Sequence, residues 1–232
     1  MVINSNKRDF KANKLKIGTR GSPLALAQAL EVKKEIIKHH KLNDQSVEII
    51  SISTKGDRVT DRPLTEIGGK GLFTEEIENK LFHNEIDIAV HSMKDMPTEF
   101  PTGLGINTFL KREDFRDSFV SLKYNSINEL PVGAVVGSSS IRRKAQLLSI
   151  RPDLKVVEFR GNVQTRLKKL EDGVADATFL ACAGLIRLGM KDLVNPISPE
   201  VMMPAIAQGI IGIEQRLNDN EITELLFPLN HE

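Results

Sequence analysis

The sequence predicts an α/β protein built from two similar lobes. Short β-type segments alternate with helical ones along the 232 residues, which is typical of a mostly parallel sheet whose strands are joined through helices. The order strand, serine, helix occurs near residue 20 and again near residue 138. Hydrophobic residues make up 40% and charged residues 27% of the chain, as in a globular protein with a sizeable core. Two lobes of similar design account for this pattern better than one long sheet.

Three strands and two helices are predicted in the first half of the chain. Ser22 followed by Pro23 is typical of a helix N-cap with proline at the first helical position, and apolar spacing continues that helix to Ile37. The β-branched run 47–53 is typical of a strand. The other predictions are a polar leader at 1–13, strands at 15–17 and 86–90, a loop at 54–71 and a helix at 72–82.

The second half repeats the alternation. Strands are predicted at 132–136, 156–159 and 177–180. Helices are predicted at 141–150, at 163–170 after Asn162 as N-cap, and as a short segment after Gly184. Ligands of such sheets bind at the carboxyl ends of the strands, so the residues at those points are the candidates for function.

Composition and charge exclude several classes of partner. A net charge of +1 gives no global field for a polyanion, and 5% aromatic residues without tryptophan leave no base-stacking surface, so no nucleic-acid partner is expected.

The single cysteine, Cys182, excludes an intramolecular disulfide and fits a reducing compartment. No run approaches a membrane span, and residues 1–14 hold no apolar leader, so the expected location is the cytoplasm. The spacing of the five histidines predicts no metal site.

Polar side chains gather at the predicted strand ends. Arg142 and Arg143 stand in the first turn of a predicted helix, where a cation opposes the helix dipole unless an anion is bound beside it. Serine hydroxyls, backbone amides and guanidinium groups together suit a carboxylate or phosphate. A single such arginine is most often a solvated surface residue, but six at strand ends indicate a ligand with several carboxylates. The residues concerned are Arg20, Ser22, Lys94, Ser138, Ser139, Ser140, Arg142, Arg143, Arg160, Arg166 and Arg187.

Asp95 supplies a carboxylate to the same region. A lone Asp in a loop is most often a turn former or a cap. Here it follows Lys94 and an apolar strand, so we expect it to face the same cations and to stay ionised near neutral pH. Such a carboxylate can stabilise a developing cation or transfer a proton. Cys182, among small apolar residues, is expected to be a buried hydrophobe rather than a nucleophile.

Seven segments of the chain resemble, in order, the motifs of the porphobilinogen deaminase family. Their number and order make the resemblance specific, and it covers about Leu15 to Glu232. The segments are Thr19–Gln28 (TRGSPLALAQ), Gly69–Phe73 (GKGLF), Val90–Pro97 (VHSMKDMP), Gly137–Arg143 (GSSSIRR), Arg160–Leu167 (RGNVQTRL), Ala183–Gly189 (AGLIRLG) and Pro204–Gly209 (PAIAQG).

The resemblance implies a transferase of tetrapyrrole (haem, chlorophyll) synthesis. Such an enzyme condenses four porphobilinogens head to tail into linear hydroxymethylbilane and releases ammonia at each step. The growing oligopyrrole is primed by a dipyrromethane cofactor, which a cysteine of the enzyme holds by a thioether. The implied fold has two lobes similar to type-2 periplasmic binding proteins and a small third α+β domain, with domain 1 at 1–110 plus 210–232 and domain 2 at 115–205. The implied partners are porphobilinogen and the oligopyrrole chain, and the implied state is a monomer.

Carried over residue by residue, the resemblance makes Asp95 the catalytic carboxylate. It would interact with pyrrole N–H groups and assist loss of ammonia and deprotonation after coupling. The resemblance also implies that the acetate and propionate groups of cofactor, substrate and chain are bound by Arg20, Ser22, Lys94, Ser139, Arg142, Arg143, Arg160, Arg166 and Arg187.

The sequence departs from the family pattern at its C-terminal end. The cofactor cysteine is implied to belong to the third domain, which is expected to be absent after Glu232, and Cys182 is not assigned as the anchor. The chain is therefore expected to be a fragment or an inactive truncation. The alternative function is a non-catalytic, two-lobed small-anion binding protein of the same fold.

Overall fold

A computed structural model describes residues 13–58 and 71–231 of the chain. The chain divides into two compact units, Met1–Lys111 with Ile211–Glu232, and Arg112–Ile210. Most of the predicted leader and of the predicted loop at 54–71 lies outside the described residues, as do the first two residues of the Gly69–Phe73 motif.

Strands and helices follow one another along the described residues much as predicted. No helix in this part of the chain is both long enough and apolar enough to cross a membrane. Short 3-10 turns lie at Asp44–Ser46, Met93–Asp95, Ile127–Glu129, Lys191–Leu193 and Phe227–Leu229. The strands and α-helices are β1 Leu15–Arg20, α1 Pro23–His40, β2 Val47–Ile52, α2 Lys55–Arg58, α3 Glu75–Phe82, β3 Ile88–Ser92, β4 Leu104–Phe109, β5 Asp117–Val120, β6 Val135–Gly137, α4 Ile141–Ile150, β7 Lys155–Val157, α5 Val163–Glu171, β8 Ala177–Ala181, α6 Cys182–Arg187, β9 Ile211–Arg216 and α7 Asn220–Leu226.

The first unit is a sheet with strand order β2-β1-β3-β9-β4 and helices on both faces. Strand β1 runs parallel to β2 and β3, whereas β9 runs antiparallel to β3 and β4. Helix α1 buries Ala29, Val32 and Ile36 at helical spacing against one face, in a core that α7 also joins. Helix α3 buries Ile77 and Leu81 in a second cluster on the other face.

The second unit is a sheet with strand order β5-β8-β6-β7. Strand β6 runs parallel to β7 and β8, and β5 is antiparallel to β8. Helix α4 buries Leu147 in one cluster with Val136 and Phe179. A second cluster joins Phe159 to Leu185 of α6 and to residues of α5. The carboxyl ends of β6, β7 and β8 therefore lie along one edge of this sheet.

Both sheets are mostly parallel, as predicted, with one reversed strand in each: β9 is antiparallel to β3 and β4, and β5 is antiparallel to β8. Two details of the predicted fold need correction. The strand predicted at 132–136 begins only at Val135, since Val132 is 86% exposed and Gly133 turns the chain with a φ of 77°. Gly184 lies inside α6 instead of before it, because the small buried residues at its start let this helix follow β8 directly.

Candidate functional site

A cavity in the first unit lies at the carboxyl ends of β1 and β3, two neighbouring parallel strands. Among the predicted site residues it brings together Arg20, Ser22 and Asp95. Lys94 belongs to the same 3-10 turn as Asp95, but it is exposed and does not line the cavity. We call this feature the Asp95 cavity. Its other lining residues include Gln28, Phe73, Thr74, His91 and Ser92.

Arg20, the last residue of β1, is paired with a carboxylate that the sequence analysis did not identify. Its Nε lies 3.2 Å from Oδ1 of Asp57, to which its Nη2 also donates, and its guanidinium carbon lies 4.1 Å from the centre of the Phe73 ring. Burial by itself raises the pKa of Asp57, but hydrogen bonds from Arg20 and Thr54 outweigh it and lower the pKa. Arg20 is thus held at the cavity wall by a cation–π contact and an ion pair.

Asp95 ends the turn that leaves β3, and it is exposed, so a ligand in the cavity can reach its carboxylate. The Ser22 hydroxyl accepts a hydrogen bond from the N–H of Ala25 at 3.2 Å and caps α1, as predicted. Gln28 of α1 donates to Oγ of Ser92 at 2.7 Å, immediately before the Asp95 turn. Helix α1 therefore ties the two strand ends of the cavity together.

In the second unit, the predicted serines bind backbone groups around the end of β6. Oγ of Ser138 accepts from the N–H of Ser140 at 3.2 Å, and Oγ of Ser140 caps α4 by accepting from the N–H of Arg143 at 3.4 Å. Oγ of Ser139 accepts from the N–H of Phe159 at 3.0 Å, although the residue itself is exposed. Ser139 therefore joins the ends of two neighbouring strands and stays accessible to a ligand.

Arg142 and Arg143 share one internal carboxylate, that of Asp117. Nη2 of Arg143 donates to Oδ1 at 2.6 Å and its Nη1 to the carbonyl of Phe179 at 2.8 Å, while Nη2 of Arg142 lies 2.8 Å from Oδ2. Nε2 of Gln208 donates to Oδ1 at 2.9 Å. Burial by itself raises the pKa of Asp117, but Arg143 and the other donors outweigh it and lower the pKa. The anion predicted beside these arginines is, in this structure, a side chain of the protein.

This arrangement engages most of the Arg143 side chain inside the protein. The residue is only 7% exposed, and both of its Nη groups are engaged internally because the fully buried carboxylate of Asp117 requires donors. Its Nε is buried and has no hydrogen-bond partner among the described residues, so one donor is left over. The Arg142 side chain is 26% exposed and lies within reach of a ligand.

The three remaining arginines follow two strands of the same sheet, β7 and β8, which lie on either side of β6. Arg160 comes after β7 and is partly exposed. Nε of Arg166, in the first turns of α5, donates to the carbonyl of Gly161 at 2.8 Å. Nη2 of Arg187, at the end of α6, donates to the carbonyl of Gly209 at 3.1 Å. Arg166 and Arg187 are therefore each anchored to a backbone carbonyl.

The partners that hold these cations lie far from them in the chain. Asp57 and Asp117 pair with arginines 37 and 26 positions away, and the Gln208 amide donates to Asp117 from 91 positions away, so no local spacing reveals them. A weak signal exists for Asp117, since it is a charge that opens an apolar strand. Gln208 belongs to the Pro204–Gly209 motif, but the motif alone does not say what its amide contacts.

The sequence is similar to one protein family over most of its length. The family model described as "Porphobilinogen deaminase, dipyromethane cofactor binding domain" matches residues 15–224, which include every predicted site residue. A protein of Paracoccus denitrificans (strain Pd 1222) named porphobilinogen deaminase is 62% identical over 219 residues, which cover 94% of this chain and 70% of that protein.

Solved structures show the fold class. Lipoprotein Tp32 of Treponema pallidum matches with a TM-score of 0.55 at 14% identity over 93% of this chain and 90% of that one. A probable amino-acid ABC transporter extracellular-binding protein of Bacillus subtilis matches with a TM-score of 0.53 at 12% identity, over 93% and 90%. A nutrient binding protein of Burkholderia cenocepacia, bound to methionine, matches with a TM-score of 0.52 at 14% identity, over 92% and 90%. The prediction of two α/β lobes of the type-2 periplasmic binding kind is confirmed.

Proposed function

Because the chain belongs to the porphobilinogen deaminase family, we propose that it acts as a hydroxymethylbilane synthase in tetrapyrrole synthesis. The reaction condenses four porphobilinogens head to tail into linear hydroxymethylbilane and releases ammonia at each step. The observation that carries the proposal is the 62% identity to a porphobilinogen deaminase over nearly the whole chain. The exposed carboxylate of Asp95, in one cavity with Arg20, supplies the chemistry that such a reaction requires.

We propose that Asp95 is the catalytic carboxylate. When the C–N bond of porphobilinogen breaks, ammonia leaves with the bonding electrons, and the electron-rich pyrrole becomes a cation. An ionised carboxylate beside the pyrrole N–H lowers the energy of that cation. After the new C–C bond forms, the coupled ring carbon loses its proton, and the same carboxylate accepts it or passes it on.

We propose that the cationic and hydroxyl groups at the strand ends bind the acetate and propionate groups of substrate, cofactor and growing chain. The dipyrromethane cofactor, whose binding domain the family model describes, supplies the pyrrole ring to which the first substrate is joined. The donor set fits such a group: Arg142 is accessible, and the buried Nε of Arg143 lacks a partner among the described residues. The proposed carboxylate-binding residues are Arg20, Ser22, Lys94, Ser139, Arg142, Arg143, Arg160, Arg166 and Arg187.

The proposal is tested by the stoichiometry of the reaction. The protein, purified at its natural length, is incubated with porphobilinogen, and ammonia is measured together with uroporphyrin formed after acid oxidation. We expect four ammonia molecules for each bilane. Binding of bilane without release of ammonia would overturn the enzymatic function and favour the non-catalytic anion-binding alternative.

We also propose that the protein works as a monomer in the cytoplasm. The single cysteine supports a reducing compartment. Sedimentation velocity at micromolar concentration and fractionation of the producing cells test the two statements separately. A stable dimer, or recovery of the protein in an exported fraction, would contradict them.

A further inference from the structure

Strand β9 lies directly beside the segment that carries Asp95. In the antiparallel register, His91 of β3 stands opposite Gly212 and Ser92 opposite Ile211. The turn Met93–Asp95 begins at the next residue of the chain. The end of β3 therefore sets where the turn starts. Two neighbours hold that end: α1 through the Gln28–Ser92 hydrogen bond, and β9 through the strand pairing.

One contact between these strands is a buried pair of ionisable side chains. Nε2 of His91 lies 3.0 Å from Oε2 of Glu214, with the two side chains 5% and 0% exposed. Oε1 of Glu214 is buried and has no hydrogen-bond partner among the described residues. A buried carboxylate without donors is costly, so the contact with His91 determines where both side chains lie.

A second acidic group lies close to the pair. Glu78 of α3 is 8% exposed. Burial raises the pKa of Glu78, and the carboxylate of Glu214 raises it further, whereas His91 and the hydroxyl of Thr74 lower it. Glu78 belongs to a helix rather than to β3 or β9. Glu78→Gln therefore changes the charge beside the pair without removing the hydrogen bond between His91 and Glu214.

A second contact joins β9 to the turn itself. A Cβ atom placed on Gly212 would lie 2.2 Å from Sδ and 3.1 Å from Cγ of Met93. The Met93 side chain therefore packs directly against the backbone of β9 at Gly212, which has no side chain. Met93 is also the first residue of the turn that ends in Asp95. Gly212 and Glu214, two residues apart in β9, therefore contact the turn and the end of β3: Gly212 contacts Met93, and Glu214 contacts His91.

We propose that Glu214 is a positioning residue: through its hydrogen bond with His91 it fixes the end of β3 and thereby the turn that presents Asp95 to the cavity. The proposed effect of Glu214 on the position of the turn does not depend on which reaction the protein catalyses. The effect on turnover rests on the proposed function, in which Asp95 is catalytic.

The experiment compares Glu214→Leu, which removes the acceptor, with Glu214→Gln, which keeps an oxygen for His91. Hydrogen exchange is followed at the N–H of Met96, which closes the turn by donating to the carbonyl of Met93 at 3.2 Å. We expect exchange to accelerate about tenfold or more in Glu214→Leu and to stay within about threefold of wild type in Glu214→Gln and in the control Glu78→Gln. Equal exchange in all four proteins, or equal acceleration in both Glu214 variants, would overturn the proposal.

Turnover supplies the second readout. We expect kcat to fall about tenfold or more in Glu214→Leu while KM changes less than about threefold, with near-normal kinetics in Glu214→Gln. A kcat that falls only in proportion to the unfolded fraction, measured by circular dichroism, would contradict a positioning role. If wild type makes no bilane, the proposed function fails, whereas the exchange rates still decide whether Glu214 holds the turn.

Discussion

The guanidinium of Arg143 and the carboxylate of Asp117 form a buried pair, with Nη2 and Oδ1 separated by 2.6 Å. Arg142 contacts the other oxygen of the same carboxylate at 2.8 Å. Two cations are therefore balanced by one internal anion, which leaves a net positive charge at the end of β6. This arrangement fixes the geometry of the arginines, and in the proposed function its positive charge attracts the carboxylate of a ligand.

We predict that Asp117→Ala lowers the free energy of unfolding by about 3–5 kcal/mol at neutral pH, because it leaves a buried guanidinium unpaired. Because the pKa of Asp117 is lower in the folded than in the unfolded state, its contribution is present above the unfolded pKa of about 3.9 and is lost as pH falls through the folded pKa. Urea unfolding between neutral and acidic pH measures this. The exposed Asp192→Ala is the control. A neutral-pH loss no larger than that of the control would contradict the prediction.

Arg166 is predicted to bind a carboxylate rather than to stabilise the fold. Arg166→Leu should weaken binding of hydroxymethylbilane by about 1.5–3 kcal/mol, which is about tenfold or more in Kd, with little change in Tm. Lys168→Leu on the same helix is the matched control, since Lys168 is 66% exposed and pairs at the surface with Asp172. Calorimetric titration and thermal melting distinguish the outcomes. Normal binding, or unfolding of Arg166→Leu, would show that the arginine is idle or structural.

Two glycines with positive φ should respond differently to alanine. Gly173 has a φ of 73° and open space around its Cα, so Gly173→Ala should cost only the backbone strain, about 1 kcal/mol. Gly209 has a φ of 91°, and a Cβ there would lie 2.5 Å from the carbonyl oxygen of Glu113. Gly209→Ala should therefore cost about 3 kcal/mol. Urea unfolding measures both variants, and equal losses would show that the contact with Glu113 does not restrict this position.

Cys182 should be unreactive in the folded protein. The side chain is fully buried, and burial raises its pKa to about 11. At pH 8 the thiolate fraction is then on the order of one in a thousand, compared with about a quarter for a free cysteine. Iodoacetamide should modify the folded protein about a hundredfold more slowly than the protein unfolded in urea, as mass spectrometry would show. Comparable rates would contradict the burial of the thiol.

The local parts of this structure follow from short stretches of sequence. Ser22 with Pro23, and Asn162 before α5, act as the predicted helix caps because a cap depends on side chains within three residues of it. The same holds for the polar residues at strand ends, since the alternation of strand and helix places them there. Arg20 and Asp95 are brought into one cavity by the predicted parallel pairing of their strands.

The parts of the structure that the sequence does not predict depend on contacts between residues far apart in the chain. The Arg20–Asp57 pair spans 37 positions and the His91–Glu214 pair 123. Strand β9 lies between β3 and β4 although it comes from the C-terminal part of the chain. The alternation of strands and helices in the sequence does not predict it. The motif of Arg143 predicts a ligand-binding cation, and only the folded chain shows that Asp117 and the carbonyl of Phe179 accept from its two Nη groups.

The most direct test of the account is the turnover of Asp95→Asn, measured as ammonia and bilane formation by the protein at its natural length. Asparagine keeps the size of the side chain but removes the charge that stabilises the cation, so the barrier should rise by about 3 kcal/mol, or about a hundredfold in rate. Glu99→Gln, an exposed change nearby in the chain, is the matched control and should keep normal turnover. Loss of turnover in Asp95→Asn with an unchanged Tm is the predicted result. Near-normal turnover in that variant would contradict the assignment of Asp95 as the catalytic carboxylate.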